Sequence, residues 1–138
     1  MNRKSFILLI LISSLFLTAC ASRFSGQDGS TITSKNSYSN ITPEQLNDMF
    51  PNKDFLLINV HIPFAGDIPQ TDLSIPYDRI DQELSQLPED KEAKIIVYCR
   101  SGSMSSAAAE KLVSLGYTNI INLERGFHGW EEAGFPLE

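Results

Sequence analysis

Cysteine is nearly absent from the chain: of 138 residues only Cys20 and Cys99 carry a thiol. Two thiols are too few for a disulfide framework, and neither stands with His61 or His128, the only histidines, at a spacing that would hold zinc, so no metal is expected. Basic residues are also scarce, with 11 Lys and Arg against 17 Asp and Glu and a formal charge of −6. That balance argues against sequence-independent binding to nucleic acid, which needs a basic footprint. The most apolar stretch, Phe6 to Leu17, falls short of the ~20 residues that a membrane-spanning helix requires. No internal repeat is visible. The rest of the chain suits one globular domain, with a length adequate for a single core and an ordinary apolar share of 42%.

Residues 1–19 read as a leader and not as part of the fold. Arg3 and Lys4 make a positive start, Phe6 to Leu17 an apolar middle, and Leu17-Thr18-Ala19-Cys20 places small residues before a cysteine. This resembles the bacterial lipoprotein signal peptide. The resemblance implies cleavage before Cys20, lipidation of that cysteine, and a chain anchored in the cell envelope, on the outer side of the cytoplasmic membrane or in the periplasm. An ordinary secretory signal or an uncleaved anchor is the alternative. A diacylglyceryl group brings two acyl chains, enough for stable anchoring where one is marginal. Without Arg3 and Lys4 the basic count falls from 11 to 9 against 17 acidic residues, a charge of −8. Cys99 would then be the only free thiol in an oxidising compartment. Residues 20–38 hold the lipidated cysteine and a flexible tether rich in Ser, Thr, Asn and Gly, and residues 39–138 form the domain.

Within the domain, strands and helices alternate. A short strand is expected near Ser39 to Ile41. Thr42 then caps a helix with Pro43 at its first position and Gln45 closing a capping box, ending near Phe50 before Pro51. Phe55 to Val60 is apolar except for Asn59, as in a strand buried on both faces. The irregular His61 to Thr71, with Pro63, Gly66 and Pro69, should cross the carboxyl edge of the sheet. Leu73 to Ile75 suits a short strand, and Ile80, Leu84 and Leu87 recur at helical spacing before Pro88. Ile95 to Tyr98 is the central strand, Ser105 to Leu115 a helix stopped by Gly116, Asn119 to Leu123 a strand, and Phe127 to Ala133 a last helix with Trp130 in its core face. Such alternation means parallel pairing with right-handed crossovers, and ligands beyond the carboxyl ends of the strands.

Cys99 stands at such an end. A free cysteine closing an apolar strand is commonly a small core residue. The residues after it point elsewhere: Arg100, Ser101, Gly102, Ser103, Met104 and Ser105 lead straight into the helix-forming Ala107-Ala108-Ala109. A strand, a tight loop and a helix start bring the loop amides and the first free helix N–H groups to one point. A thiol among those donors is favoured as thiolate, and glycine permits close backbone approach. Ser105 or Ser106 is expected to cap the helix.

The segment Cys99-Arg100-Ser101-Gly102-Ser103-Met104-Ser105 resembles the active-site loop of rhodanese-family sulfurtransferases. Leu57-Ile58-Asn59-Val60-His61 is similar to the family's strand ending in Asp-Val-Arg, and Glu124-Arg125-Gly126-Phe127-His128-Gly129-Trp130 to its Gly-rich, Trp-containing C-terminal segment. The resemblance implies an α/β fold of three layers, α/β/α, around a parallel sheet of about five short strands. It also implies a thiosulfate sulfurtransferase-like enzyme in which Cys99 takes sulfane sulfur from a small donor, holds it as a persulfide and passes it to a thiol or protein acceptor, with no cofactor. The loop residues Arg100 to Ser105 would bind the donor, Arg100 at its sulfonate end and the others through backbone amides, while Asn59 and His61 are possible pocket residues. Two departures stand out. Ser103 and Met104 occupy the half of the loop where many members carry an arginine, and Asn59 and His61 replace a charge pair. They make a tethered, non-catalytic or redox-sensing binding module the alternative, with sulfenic acid at Cys99 as the sensing chemistry. Phosphatase and arsenate reductase loops also use a cysteine, but with an arginine six positions on, where this chain has Ser105.

Overall fold

The computed structural model of the chain describes residues 37–138. The leader, Cys20 and most of the tether lie outside the described residues. Five strands, β1 (Ser39–Ile41), β2 (Leu56–Asn59), β3 (Leu73–Ser74), β4 (Ile95–Tyr98) and β5 (Ile120–Leu123), form one sheet in the order β1-β5-β4-β2-β3. Every pairing is parallel. Helices α1 (Pro43–Met49), α2 (Ser103–Ser114) and α3 (Gly126–Glu132) complete the regular structure of the described residues, with short 3-10 turns at Phe50–Asn52 and Leu84–Gln86. No helix among the described residues is long and apolar enough to cross a membrane.

Strand periodicity makes the layers. Successive β4 side chains point to opposite faces, so Ile95, Val97 and Cys99 enter a core with Ala108, Ala109 and Leu112 of α2. Ile96 and Tyr98 enter a second core with Leu46 of α1 and Phe127 and Trp130 of α3. The result is the expected α/β/α arrangement. All four β4 residues are buried, and apolar side chains of this size contribute ~1.5–3 kcal/mol each when fully removed from water. Trp130 lies in the second core and donates its indole N–H to the Pro136 carbonyl at 2.8 Å.

Local chemistry sets several boundaries. The α1 capping box is present in both directions: the Gln45 amide donates to Thr42 Oγ1 at 3.3 Å, and the Thr42 amide donates to Gln45 Oε1 at 2.9 Å. Pro51 falls in the 3-10 turn that follows. Gly116 has φ +92° just past α2, the left-handed conformation that stops a helix.

Two expectations are corrected. Ile80, Leu84 and Leu87 do not share a helix. Amides in this stretch bond mostly three residues back, as from Arg79 to Pro76 and from Gln82 to Arg79, and only Leu84–Gln86 is regular. Ile80 and Leu87 are buried but Leu84 is exposed. Pro76 and Pro88 confine a segment containing the weak helix formers Asp78, Asp81 and Ser85, too short for cooperative helix growth. The second correction concerns α2, which starts at Ser103, so neither Ser105 nor Ser106 is its cap. Gly102, at φ +108°, turns the chain within one residue and occupies the cap position without a side-chain hydrogen bond.

Candidate active site

Cys99 follows the last residue of β4, and Arg100, Ser101 and Gly102 carry the chain over to α2. The alternation of β4 aims the Cys99 side chain toward α2, where the Gly102 amide donates to Sγ at 3.1 Å. Ser105, one turn into α2 and fully buried, places its hydroxyl 3.5 Å from Sγ and 3.0 Å from the Gly102 carbonyl. Cys99 itself is 1% exposed, so its sulfur is shielded from solvent. Burial alone would push the thiol up. The Ser105 hydroxyl and the main-chain amides of Ser105, Gly102 and Ser101 outweigh it and bring Cys99 below the ordinary thiol range. The first turn of α2 adds the positive end of its macrodipole. The cysteine is therefore walled by the apolar core on one side and polarised by peptide groups on the other.

The remaining loop residues divide. Arg100, Ser101 and Ser103 are exposed, and Met104 packs at the margin of the α2 core. Ser103 and Met104 make no hydrogen bond to Sγ; they supply the first turn of the helix instead.

Helix α3 locks the loop from the other side. Its Phe127 amide donates to the Cys99 carbonyl at 2.9 Å and its His128 amide to the Arg100 carbonyl at 3.1 Å. Gly126, at φ +53°, allows this approach, since a Cβ there would stand 1.8 Å from the Cys99 carbonyl oxygen. Arg100 Nε donates to His128 Nε2 at 2.8 Å. His61 meets the Phe127 ring edge-on with centroids 5.4 Å apart. Burial, then the nearby Arg100 and His128, lower the His61 pKa, and its Nδ1 is buried without a hydrogen-bond partner. His61, Arg100 and His128 thus gather on the α3 side of the cysteine loop. His128 was not legible as part of this group, because 28 residues separate it from Arg100 and only the docking of α3 joins them.

Asn59 departs from the expectation of a pocket residue. Its register partner is Tyr98, which puts it on the face opposite Cys99. There its amide donates to the Gly66 carbonyl at 3.0 Å and to Asp67 Oδ1 at 2.8 Å, while its Oδ1 accepts the His61 amide at 2.9 Å. The Tyr98 hydroxyl donates to Asp67 Oδ1 at 3.0 Å, accepts the Ile68 amide at 3.0 Å and shares a hydrogen bond with Thr71 at 2.7 Å. Asn59 therefore ties the His61 amide to the segment of Gly66 and Asp67. Among the described residues no group of three or more His, Cys, Asp or Glu side chains is placed to hold a metal ion.

Comparison with known proteins gives a consistent answer. A family model described as a rhodanese-like domain matches residues 38–133. A protein named sulfurtransferase from Allochromatium vinosum is 33% identical over 88 residues, covering 62% of this chain and 79% of that one. A thiosulfate sulfurtransferase GlpE from Glaesserella parasuis is 27% identical over 103 residues, covering 73% of this chain and 94% of its own. Among solved structures, a rhodanese-related protein from Thermoplasma volcanium superposes with a TM-score of 0.62 at 28% identity, covering 73% of this chain and 98% of that chain.

Proposed function

From the premise that this chain belongs to the rhodanese-like domain family, we propose that it transfers sulfane sulfur through a persulfide on Cys99. The observation that carries this reading is the Sγ held 3.1 Å from the Gly102 amide and 3.5 Å from the Ser105 hydroxyl, with its pKa lowered despite burial. A core cysteine needs none of those donors. A nucleophile that must be an anion before attack, and carry an anionic sulfur after it, needs them in both states.

The transfer has two steps. The Cys99 thiolate attacks the outer sulfur of thiosulfate; an Sγ–S bond forms, the donor's S–S bond breaks, and the electron pair leaves with sulfite. The outer sulfur of the persulfide, now negative, takes the place of the thiolate before the loop amides. A thiolate acceptor, low in molecular weight or on a protein, then attacks that outer sulfur, leaves with it as a new persulfide and returns Cys99 as thiolate. Neither step changes the total electron count. Loop residues Arg100 to Ser105 bind the donor in this scheme, and no cofactor takes part.

We further propose that the domain is lipid-anchored through Cys20 in the cell envelope. Support comes from the sequence of the leader alone, and membrane release by a Cys20→Ala change in cells is its test. A tethered, non-catalytic or redox-sensing module is the competing reading, favoured by Ser103 and Met104 in the half of the loop where many members carry an arginine and by Asn59 and His61 in place of a charge pair. Mass spectrometry of the purified protein after thiosulfate treatment separates the two. Transfer predicts the gain of one sulfur atom at Cys99 with release of sulfite, both abolished by Cys99→Ser in a protein that still folds. Oxygen adducts alone, or an unchanged mass, would reject it.

A further inference from the structure

His128 and Arg100 are tied in both directions. The His128 amide donates to the Arg100 carbonyl at 3.1 Å, and the Arg100 side chain returns an Nε–H to His128 Nε2 at 2.8 Å. An imidazole nitrogen accepts only when it carries no proton, so the neutral ring holds its proton on Nδ1. The partner is unusual for this molecule. Lys53, Lys94, Lys111 and Arg125 each pair with a carboxylate, and Lys91 lies over the Tyr117 ring at 3.7 Å. Arg100 and Arg79, both exposed, have no carboxylate partner among the described residues, and of the two only Arg100 adjoins the cysteine and is held by an imidazole. A neutral acceptor fixes the guanidinium through Nε without neutralising it, and its two Nη groups make no hydrogen bond to the described residues. That fork has the planar geometry suited to two oxygens of an oxyanion. His61 lies close by and feels the Arg100 charge, which nothing among the described carboxylates offsets.

We infer that His128 is a positioning residue. Through its Nε2 it holds the Arg100 guanidinium uncompensated beside the Cys99 loop, and so selects sulfur donors whose leaving end is an oxyanion over donors whose leaving end is neutral. A carboxylate in the same place would hold Arg100 as firmly but cancel its charge. A free arginine would keep its charge but lose rotamer entropy on each encounter.

This inference rests on the persulfide reading, and the test keeps the two apart. Sulfur uptake by the full chain is measured with thiosulfate and with a neutral dialkyl trisulfide, for the natural protein, H128A and H128Q. Gln offers an acceptor oxygen near the position of Nε2. The expected result is a ratio of kcat/KM, thiosulfate over trisulfide, that falls about tenfold in H128A through a rise in KM and recovers in H128Q, as loss of one oriented charge-assisted contact predicts. Equal slowing with both donors, or a ratio unchanged in H128A, overturns the role of His128 while leaving the persulfide reading intact. No sulfur uptake by the natural protein from either donor overturns both. If H128A loses structure by circular dichroism, R100Q supplies the same ratio, and an unchanged value there overturns the selection.

Discussion

Ser105 has one hydroxyl proton and two acceptors for it, the Gly102 carbonyl at 3.0 Å and Cys99 Sγ at 3.5 Å. The neutral thiol is a weak acceptor and leaves the proton with the carbonyl; the thiolate is a strong one and draws it over. Ser105 therefore responds to the charge state of Cys99. Because the folded thiol lies below its ordinary range, sulfur uptake should climb with pH in a window beneath that range. Ser105→Ala should move that rise to higher pH and slow uptake at neutral pH about tenfold, the value of one hydrogen bond to a charged group; stopped-flow release of sulfite across pH measures it. The same ionisation contributes stability that is complete above the unfolded thiol's pKa and is lost as pH falls through the folded value. Tyr98 presents the opposite case. Burial pushes its phenol well above the ordinary range, the Asp67 charge also raises it, and hydrogen bonds from Thr71 and Ile68 act the other way. Its hydroxyl holds Asp67, Ile68 and Thr71 together. Tyr98→Phe should cost ~1–3 kcal/mol in urea unfolding, since the buried Ile68 amide loses its partner. Nothing local in the sequence announces this network: Tyr98 reads as one more apolar strand position, and its partners lie 27 to 31 residues away.

At the scale of elements, two glycines of the site face different constraints. Gly102 has an open surrounding, with the nearest atom to a built Cβ at 3.7 Å, and only its φ of +108° resists a side chain. Gly126 has no room, with the Cys99 carbonyl oxygen at 1.8 Å and its carbon at 2.7 Å. Gly102→Ala should therefore cost ~1–2 kcal/mol of backbone strain. Gly126→Ala should cost more than ~3 kcal/mol, because α3 must lift from the loop and forfeit the bonds from Phe127 and His128. Thermal unfolding of the two variants compares them, and equal losses would refute the contrast. The elements themselves were legible where their signals are local. Thr42, Pro43 and Gln45 name the start of α1 within four residues, and the run from Ile95 to Cys99 names its strand and its end. The start of α2 was not, because Ser105 and Ser106 carry the composition of a helix cap while the left-handed turn at Gly102 has already begun the helix. The Ile80 to Leu87 stretch misled for a related reason: two of its three apolar residues do face the core, but from successive turns.

For the molecule as a whole, β4 is the central strand of the sheet, contributes to both cores and lies between β5 and β2, which are themselves paired on both edges. Its amides should open only with global unfolding, so hydrogen exchange at Ile96 and Val97 should report the full stability, while β1 and the two-residue β3 exchange faster. Exchange at β1 as slow as at β4 would contradict that gradient. Alternation of strands and helices made the parallel sheet predictable, and a cysteine at a strand's carboxyl end made the site predictable in place. The neighbours of that cysteine were not, since His61, Arg100 and His128 come from three segments that meet only after α3 has docked.

The sheet order has a further consequence for synthesis. Of the described strands, the first made, Ser39–Ile41, pairs with the last, as in the contact from Asn122 to Asn40 at 3.0 Å across 82 residues of chain. A nascent polypeptide leaving a ribosome or a translocon thus has no berth for its opening strand until Leu123 has been delivered. The seam between oldest and newest strand is the closing stitch of maturation, and any chain interrupted upstream of it keeps a raw, adhesive border for quality-control machinery to find.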